Sequence, residues 1–392
     1  MGSSLSSLFI LVANGFMQVP VGAEFVWQTM RMDTTSLIDI FLNPIAQIGF
    51  AHTVIAGYTT SSIFVIGVSS FYLLRKKDID FAKRSMAIGL GFCMVVSLVV
   101  MLMGDQQGIL AYKYQPMKLA AIEAEWGTQH PPANFNVIAL PNQHGLKNDF
   151  SIQIPELLGL LATHSYDQKI YGVKTLLYKG YTDVNGKQIS AVTTSIVNGA
   201  KAYEAMMRMR AGTATEADKK IYDKYSHDLG YGMLLQRYMP AHKPLTSATP
   251  EQVKKAALYS VPNVASIFWT FRIMVGIGVL MFFTIMTGVF LLLRKKLWQQ
   301  KLLLRIMLYM IPLPWIAFLC GWIFTEHGRQ PWSVYNLLPT TVSSSTINGW
   351  DILFTLIVFM VFYCLLFCIE MFLMLKYVRL GPSKILNNFN YT

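Results

Sequence analysis

LNPIAQIGFAHTVIAGYTTSSIFVIGVSSFYLL, residues 42–74, contains no Asp, Glu, Lys or Arg and stops at Arg75-Lys76-Lys77. At about 1.5 Å of helical rise per residue, such a run exceeds the roughly 30 Å hydrocarbon core of a bilayer. This stretch decides the class of protein: a chain built on membrane-spanning helices. It also contains His52, the only one of the seven histidines placed in a long apolar run. An imidazole in hydrocarbon is costly and both titratable and metal-competent, so His52 is a candidate functional residue.

The rest of the chain agrees with that reading. Hydrophobic residues make up 53% and charged residues 14%, against about 25% charged in soluble domains. Hydropathy marks five spans, at 47–74, 86–103, 266–293, 306–325 and 352–375. A sixth, 4–22, is uncharged but interrupted by Asn14, Gly15 and Pro20; it lacks the basic leader of a signal peptide. The expected fold is an all-α integral membrane protein with six transmembrane helices and a large outer-face, periplasmic loop. Its parts are three helices in 1–103, the loop in 104–265, and three helices in 266–392.

The net charge of +12 does not indicate a nucleic-acid partner. Arg75, Lys76, Lys77, Lys83 and Arg84 follow the second span. Arg294, Lys295, Lys296, Lys301 and Arg305 follow the fourth, and Lys376, Arg379 and Lys384 follow the sixth. All three clusters fall on one side of a six-span topology, the positive-inside pattern, which places 104–265 outside. Cys93, Cys320, Cys364 and Cys368 lie in spans and read as small packing residues, although the last two are one helical turn apart. The outer loop has no cysteine, hence no disulfide framework.

Within the loop, 117–126 reads as a short amphipathic helix, 130–155 as irregular, and 197–238 as helical with a Gly-Thr turn. Nucleotide-binding glycine motifs and metal-ligand spacings do not occur there. The five loop histidines are scattered singly and read as solvated.

Three constellations could carry chemistry. His52 and Met274 each lie about eight residues, roughly 12 Å, from the outer end of their spans. They can therefore face each other at one depth, as the imidazole and thioether ligands of a haem iron. Arg272, half a turn above Met274, needs a partner in the membrane and could hold a propionate. Against this, any one of 22 methionines is usually core filler, and His52 could simply bond a neighbouring helix. The second constellation is Trp322, Glu326, His327, Arg329 and Trp332 at the outer end of span five. It reads either as an iron-ligating or proton-transferring carboxylate with an arginine beside it, or as an interfacial aromatic belt with a local salt bridge. The third is Lys118 and Glu123, about 140° apart on a helix and so not a surface pair. The spacing suits Lys118 to Glu125 and leaves Glu123 free beside Trp126, within reach of an aromatic ligand, but on pattern alone these read first as solvated surface charges. Glu370, near the inner end of span six, can snorkel.

ILVANGFMQ (10–18), LNPIAQIGFAHT (42–53), KLAAIEAEW (118–126), FRIM (271–274), GRQPW (328–332) and EMFLM (370–374) together resemble subunit I of cytochrome bd-type quinol oxidases, in its long quinol-loop form. The likeness runs over essentially the whole chain. It implies a bacterial inner-membrane enzyme that oxidises quinol at the outer face and reduces O2 to water, generating a membrane potential. His52 and Met274 are then axial ligands of a low-spin haem b that Arg272 stabilises. Lys118 and Glu123 bind and deprotonate quinol. Glu326 ligates one of two high-spin haems, a haem b and a haem d, with Trp322 and Arg329 beside them. The partners implied are subunit II, a small accessory subunit, ubiquinol or menaquinol, O2 and membrane lipid. The resemblance also implies that about three transmembrane helices ahead of this sequence's first span are missing, among them the one bearing a further haem-ligating histidine. The alternative is then a non-oxidase or inactive electron-transfer fragment holding only the low-spin haem. A transporter would account for His52 and Glu370 alone, without an inverted repeat.

Overall fold

The computed structural model describes residues 2–240 and 242–383; Lys384, counted in the third basic cluster, lies outside them. In chain order the helices and strands begin with α1 (Gly2–Gln18), the β1–β2 hairpin (Ala23–Val26, Arg31–Thr34) and α2 (Leu37–Phe41). Next come α3 (Pro44–Leu74), α4 (Ile79–Tyr114) and α5 (Pro116–Ile122). The loop region adds the β3–β4 hairpin (Phe135–Asn142, Lys147–Ile154), α6 (Leu157–Thr163), α7 (Val173–Tyr178) and the β5–β6 hairpin (Tyr181–Thr182, Gln188–Ile189). It continues through α8 (Val192–Arg210), α9 (Glu216–Tyr225), α10 (Leu229–Met233) and α11 (Pro250–Tyr259). The last part holds α12 (Val264–Leu293), α13 (Lys301–Tyr309), α14 (Leu313–Arg329), the β7–β8 hairpin (Trp332–Val334, Leu338–Pro339) and α15 (Gly349–Leu380).

Among the described residues, five helical stretches are long and apolar enough to cross a membrane: Leu37–Leu74, Ile79–Tyr114, Pro250–Leu293, Lys301–Arg329 and Gly349–Leu380. The expected sixth, α1, has 17 residues, about 26 Å of rise and the lower limit for a span. Local chemistry fixes the boundaries. Asn43 caps α3, its Oδ1 accepting from Ile45 N at 2.9 Å, while its Nδ2 donates to Val19 O at 2.8 Å and ties down the chain leaving α1. At 36 residues α4 is longer than a bilayer requires and carries Asp105–Tyr114 beyond the apolar run, eleven residues past the expected end at 103. Pro116 opens α5, where its fixed φ suits a first helical turn.

The chain forms two compact units. One comprises residues up to Ile55 with Val99–Gly276 and Ile316–Ser343. Its core joins α5, α7, α8, α11 and the start of α12 around Phe268, Ile196, Leu177, Leu234 and Trp332. All four hairpins belong to it, so the helical expectation holds with small antiparallel additions. Residues 130–155 are not irregular: β3 and β4 pair from Phe135↔Ile154 to Asn142↔Lys147, with two register shifts. The other unit comprises Ala56–Leu98, Ile277–Trp315 and the residues from Ser344 on. It packs Ile63 and Ile66 of α3 with Met86, Leu90 and Cys93 of α4, and Ile285 of α12 with Met307 of α13. No residue of α15 is buried, so Cys364 and Cys368 are exposed rather than packed, as is Glu370. Contacts that tie down α15 include Tyr72 Oη to Val378 O at 2.9 Å and Lys77 Nζ to the Arg379 and Leu380 carbonyls.

Candidate functional site

Every residue singled out above as a haem or quinol group falls in the first unit. In α5 and the residues just after it, Met117–Ile122 are all buried, and the charged Lys118, Glu123 and Glu125 are only 4–5% exposed. The reading as solvated charges is therefore wrong for these three. Lys118 Nζ donates to Gln18 Oε1 at 3.0 Å and to Thr325 O at 3.4 Å. It does not pair with Glu125, because its stem runs across Gly328, where a Cβ would lie 2.8 Å from Lys118 Cε. Burial lowers the Lys118 ammonium to about 8; the Glu326 carboxylate acts the other way, and the Arg329 charge adds to the lowering.

Glu123 points elsewhere, as the 140° between the two positions requires. It is not free: Arg272 Nη2 reaches its Oε2 at 2.6 Å, with both side chains under 10% exposed. Arg272 also donates to Asn136 O from Nε at 3.1 Å and Nη2 at 2.6 Å, and its guanidinium lies 4.5 Å from the Phe135 ring and 4.4 Å from that of Phe268. Burial raises the Glu123 carboxyl, and Arg272 opposes it. Asn136 Nδ2 bonds both the Glu123 carbonyl and Glu125 Oε1, and Gln129 Nε2 donates to Glu125 Oε2, both carboxylate contacts at 2.7 Å.

Glu326 and Arg329 meet on α14 at 2.5 Å, the expected local salt bridge. The other Glu326 oxygen accepts from Asn14 Nδ2 at 2.7 Å, and Gln18 Nε2 donates to Asn14 Oδ1 at 2.8 Å. A side-chain chain thus runs Arg329–Glu326–Asn14–Gln18–Lys118. Sequence reasoning missed its two middle members, although an Asn and a Gln four residues apart on an apolar helix were a legible sign. Trp322 lies one turn before Glu326 and is half-buried. His327 bonds Ser266 Oγ at 2.8 Å, apart from this chain.

His52 and Met274 lie on α3 and α12 within the spans. The Nδ1 of His52 is buried without a hydrogen-bond partner, and Gly104 of α4 faces the ring, with a Cβ there at 3.5 Å from Cε1. Met274 Sδ faces Gly321 of α14, where a Cβ would lie 3.1 Å away. The Nη1 of Arg272 and the Nε of Arg329 are likewise buried without partners. An orphaned imidazole nitrogen, a soft thioether, glycines facing both, and spare guanidinium donors for carboxylates are a donor set that fits haem.

A cavity of about 170 Å³ adjoins Lys118, walled by Tyr181, Tyr231, Trp332 and Tyr335 and reaching His227 and Asp228; Glu123 does not line it. Lys118 and Glu123 therefore serve different surroundings.

These features define a helical membrane protein with a buried imidazole and a thioether inside its spans and buried acid–base groups in an adjoining loop. A profile of the cytochrome bd terminal oxidase subunit I family matches residues 1–382, and the chain belongs to that family. It is 40% identical over 382 residues to the cytochrome bd-II ubiquinol oxidase subunit 1 of Escherichia coli (strain K12), covering 97% of this chain and 71% of that protein. It is 30% identical to the cytochrome bd ubiquinol oxidase subunit 1 of Bacillus subtilis (strain 168), covering 97% and 66%. The fold resembles that of the bd oxidase from Geobacillus thermodenitrificans, with a TM-score of 0.68 at 19% identity over 97% of this chain and 68% of that one.

Proposed function

We propose that this chain is the subunit I of a respiratory quinol oxidase in the bacterial inner membrane, with quinol oxidised at the 104–265 loop on the outer face. The observation that carries the reading is the Glu123–Arg272 pair. It fastens the loop's carboxylate, the proposed proton acceptor, to the helix that carries Met274.

His52 and Met274 hold the low-spin haem b; Arg272, through its free Nη1, holds a propionate. Glu326, with Trp322 and Arg329, serves the high-spin haem b and haem d. These groups supply one-electron transfer and oxygen chemistry when bound. The protein residues do the rest. Lys118, fixed by Gln18, orients the quinol ring and donates a hydrogen bond to a ring oxygen. Glu123, pushed up by burial, accepts a proton at its carboxylate. The buried walls of α5 keep water from both. Subunit II is the membrane partner, with a small accessory subunit, and lipid or protein covers the exposed face of α15.

A reduced-minus-oxidised spectrum of the complex purified around this chain tests the reading. Low-spin b and far-red d bands are expected. His52→Ala should remove the low-spin signal, and its survival would refute the ligation. A low-spin band alone would indicate an electron-transfer protein without oxidase activity.

A further inference from the structure

Quinol oxidation breaks two O–H bonds and releases two protons and two electrons. On the reading above, the electrons leave singly to haem, and Glu123 accounts for one proton. We propose that Glu125 is a second proton-accepting carboxylate, standing behind Glu123 and completing the two-proton capacity of the quinol side. This inference rests on the proposed quinol oxidation.

The geometry is specific. Glu125 is 4% exposed and, among the described residues, forms no ion pair. Its two oxygens are held by two amides, Gln129 Nε2 and Asn136 Nδ2, each at 2.7 Å. Both amides are fixed as donors, because their own oxygens are taken: Gln129 Oε1 by Asn134 N at 2.6 Å, and Asn136 Oδ1 by Gln153 Nε2 at 2.9 Å. Asn136 also bonds the Glu123 carbonyl, so one side chain braces both acids. The charged groups acting on Glu125 are Glu123, which disfavours its ionised form, and Arg272, which favours it but is already engaged by Glu123. Burial is the largest influence, and the carboxyl stands at about 7. An acid balanced at that value holds or yields a proton near neutral pH. A purely structural carboxylate would gain nothing from such a setting. Gln129, which donates to Glu125, is itself half-exposed, so Glu125 lies one side chain from the loop surface.

The balance is QH2 → Q + 2 H+ + 2 e−, with one proton on each carboxylate and each electron on haem. Both carboxylates then release their protons outward before the next quinol.

The test uses the whole membrane complex and two readouts. The first is infrared difference spectroscopy of the oxidised complex from about pH 6 to about pH 8.5. A protonated-carboxyl band titrating near pH 7 is expected, retained in Glu123→Gln and absent in Glu125→Gln. The second is quinol-driven low-spin haem reduction. It should rise through pH 7 in the parent and lose that limb in Glu125→Gln, with a rate at pH 8 lower by on the order of tenfold. Glu125→Asp, which retains an acid, should keep the titration at a moved midpoint, and it serves if the Gln variant does not assemble. A band that persists in Glu125→Gln, or an unchanged pH limb, would overturn the proposal. Failure of the parent complex to oxidise quinol would instead sink the functional reading beneath it.

Discussion

Glu123→Gln is the sharpest perturbation of the site, because it removes one charge and almost no volume. The Glu123 and Arg272 side chains are 6% and 9% exposed and meet at 2.6 Å. Breaking one member of a buried pair costs about 3–5 kcal/mol, since the other charge stays buried. Arg272 keeps its two bonds to Asn136 O and its aromatic faces, which offset about 1 kcal/mol. The expected local loss is therefore about 2–4 kcal/mol, or roughly 30- to 1,000-fold in opening equilibrium at about 1.4 kcal/mol per tenfold. Hydrogen exchange of the α5 and β3 amides in the assembled complex reads this directly. Arg272→Met differs in its pH dependence. Without the guanidinium, the raised Glu123 carboxyl rises further above its unfolded value. Stability is then fully retained below the unfolded value of about 4.3 and lost as pH climbs through the folded one. The double variant Glu123→Gln/Arg272→Met should recover most of the loss. Additive losses in the double variant, or unchanged protection in Glu123→Gln, would refute the buried pair as the fastening of this loop.

Gly328→Ala places a Cβ 2.8 Å from Lys118 Cε and 3.2 Å from its Cδ and Cγ, so the buried stem must shift at a cost of about 1–3 kcal/mol. The loss of the Gln18 bond should raise KM for quinol by roughly tenfold, with the haem spectrum unchanged. Lys118, lowered to about 8 by burial, is protonated below that pH and a neutral amine above it. A limb in quinol oxidation rising through about pH 8 should vanish in Lys118→Met. Gly199→Ala would drive a Cβ into Asp228 O and to 2.5 Å from Gly232 N, backbone atoms that cannot step aside. The cost should reach about 3 kcal/mol, visible as proteolysis at the exposed Gly212–Thr213 turn.

The spans were legible because their signal is local: a long run without charges needs no knowledge of its neighbours. His52 stood out for the same reason, as an imidazole within such a run; Met274, one of 22 methionines, was reached only by matching its depth to that of His52. The burial of Lys118, Glu123 and Glu125 was not legible, because Gln18 and Arg272 come from far along the chain and Asn136 is brought back only by the β3–β4 hairpin. A lysine between apolar residues looks the same whether water or an amide oxygen receives it. The β3–β4 hairpin lay between these cases. Phe150, Ile152 and Ile154 alternate with polar residues, a period-two sign masked by the Pro, Asn and Gln around it.

The separation of Lys118 from Glu123 bears on how the loop works. A quinol between two groups on one face of a helix could exchange protons with either. Here the two face apart, and each is bound into a different set of residues. Glu123 is held by Arg272, two residues from Met274, and Lys118 is joined through Gln18 and Asn14 to Glu326. A change at Glu123 is therefore felt first at Arg272 and the helix of Met274. A change at Lys118 reaches Glu326 through those hydrogen bonds and through the charge interaction between the two. α5 is short, but it is buried on all sides, and rotating it would break both attachments together. With α5 held still by both, the part of the loop left to adapt to a ligand is the set of cavity walls beside Lys118, Tyr181, Tyr231 and Tyr335.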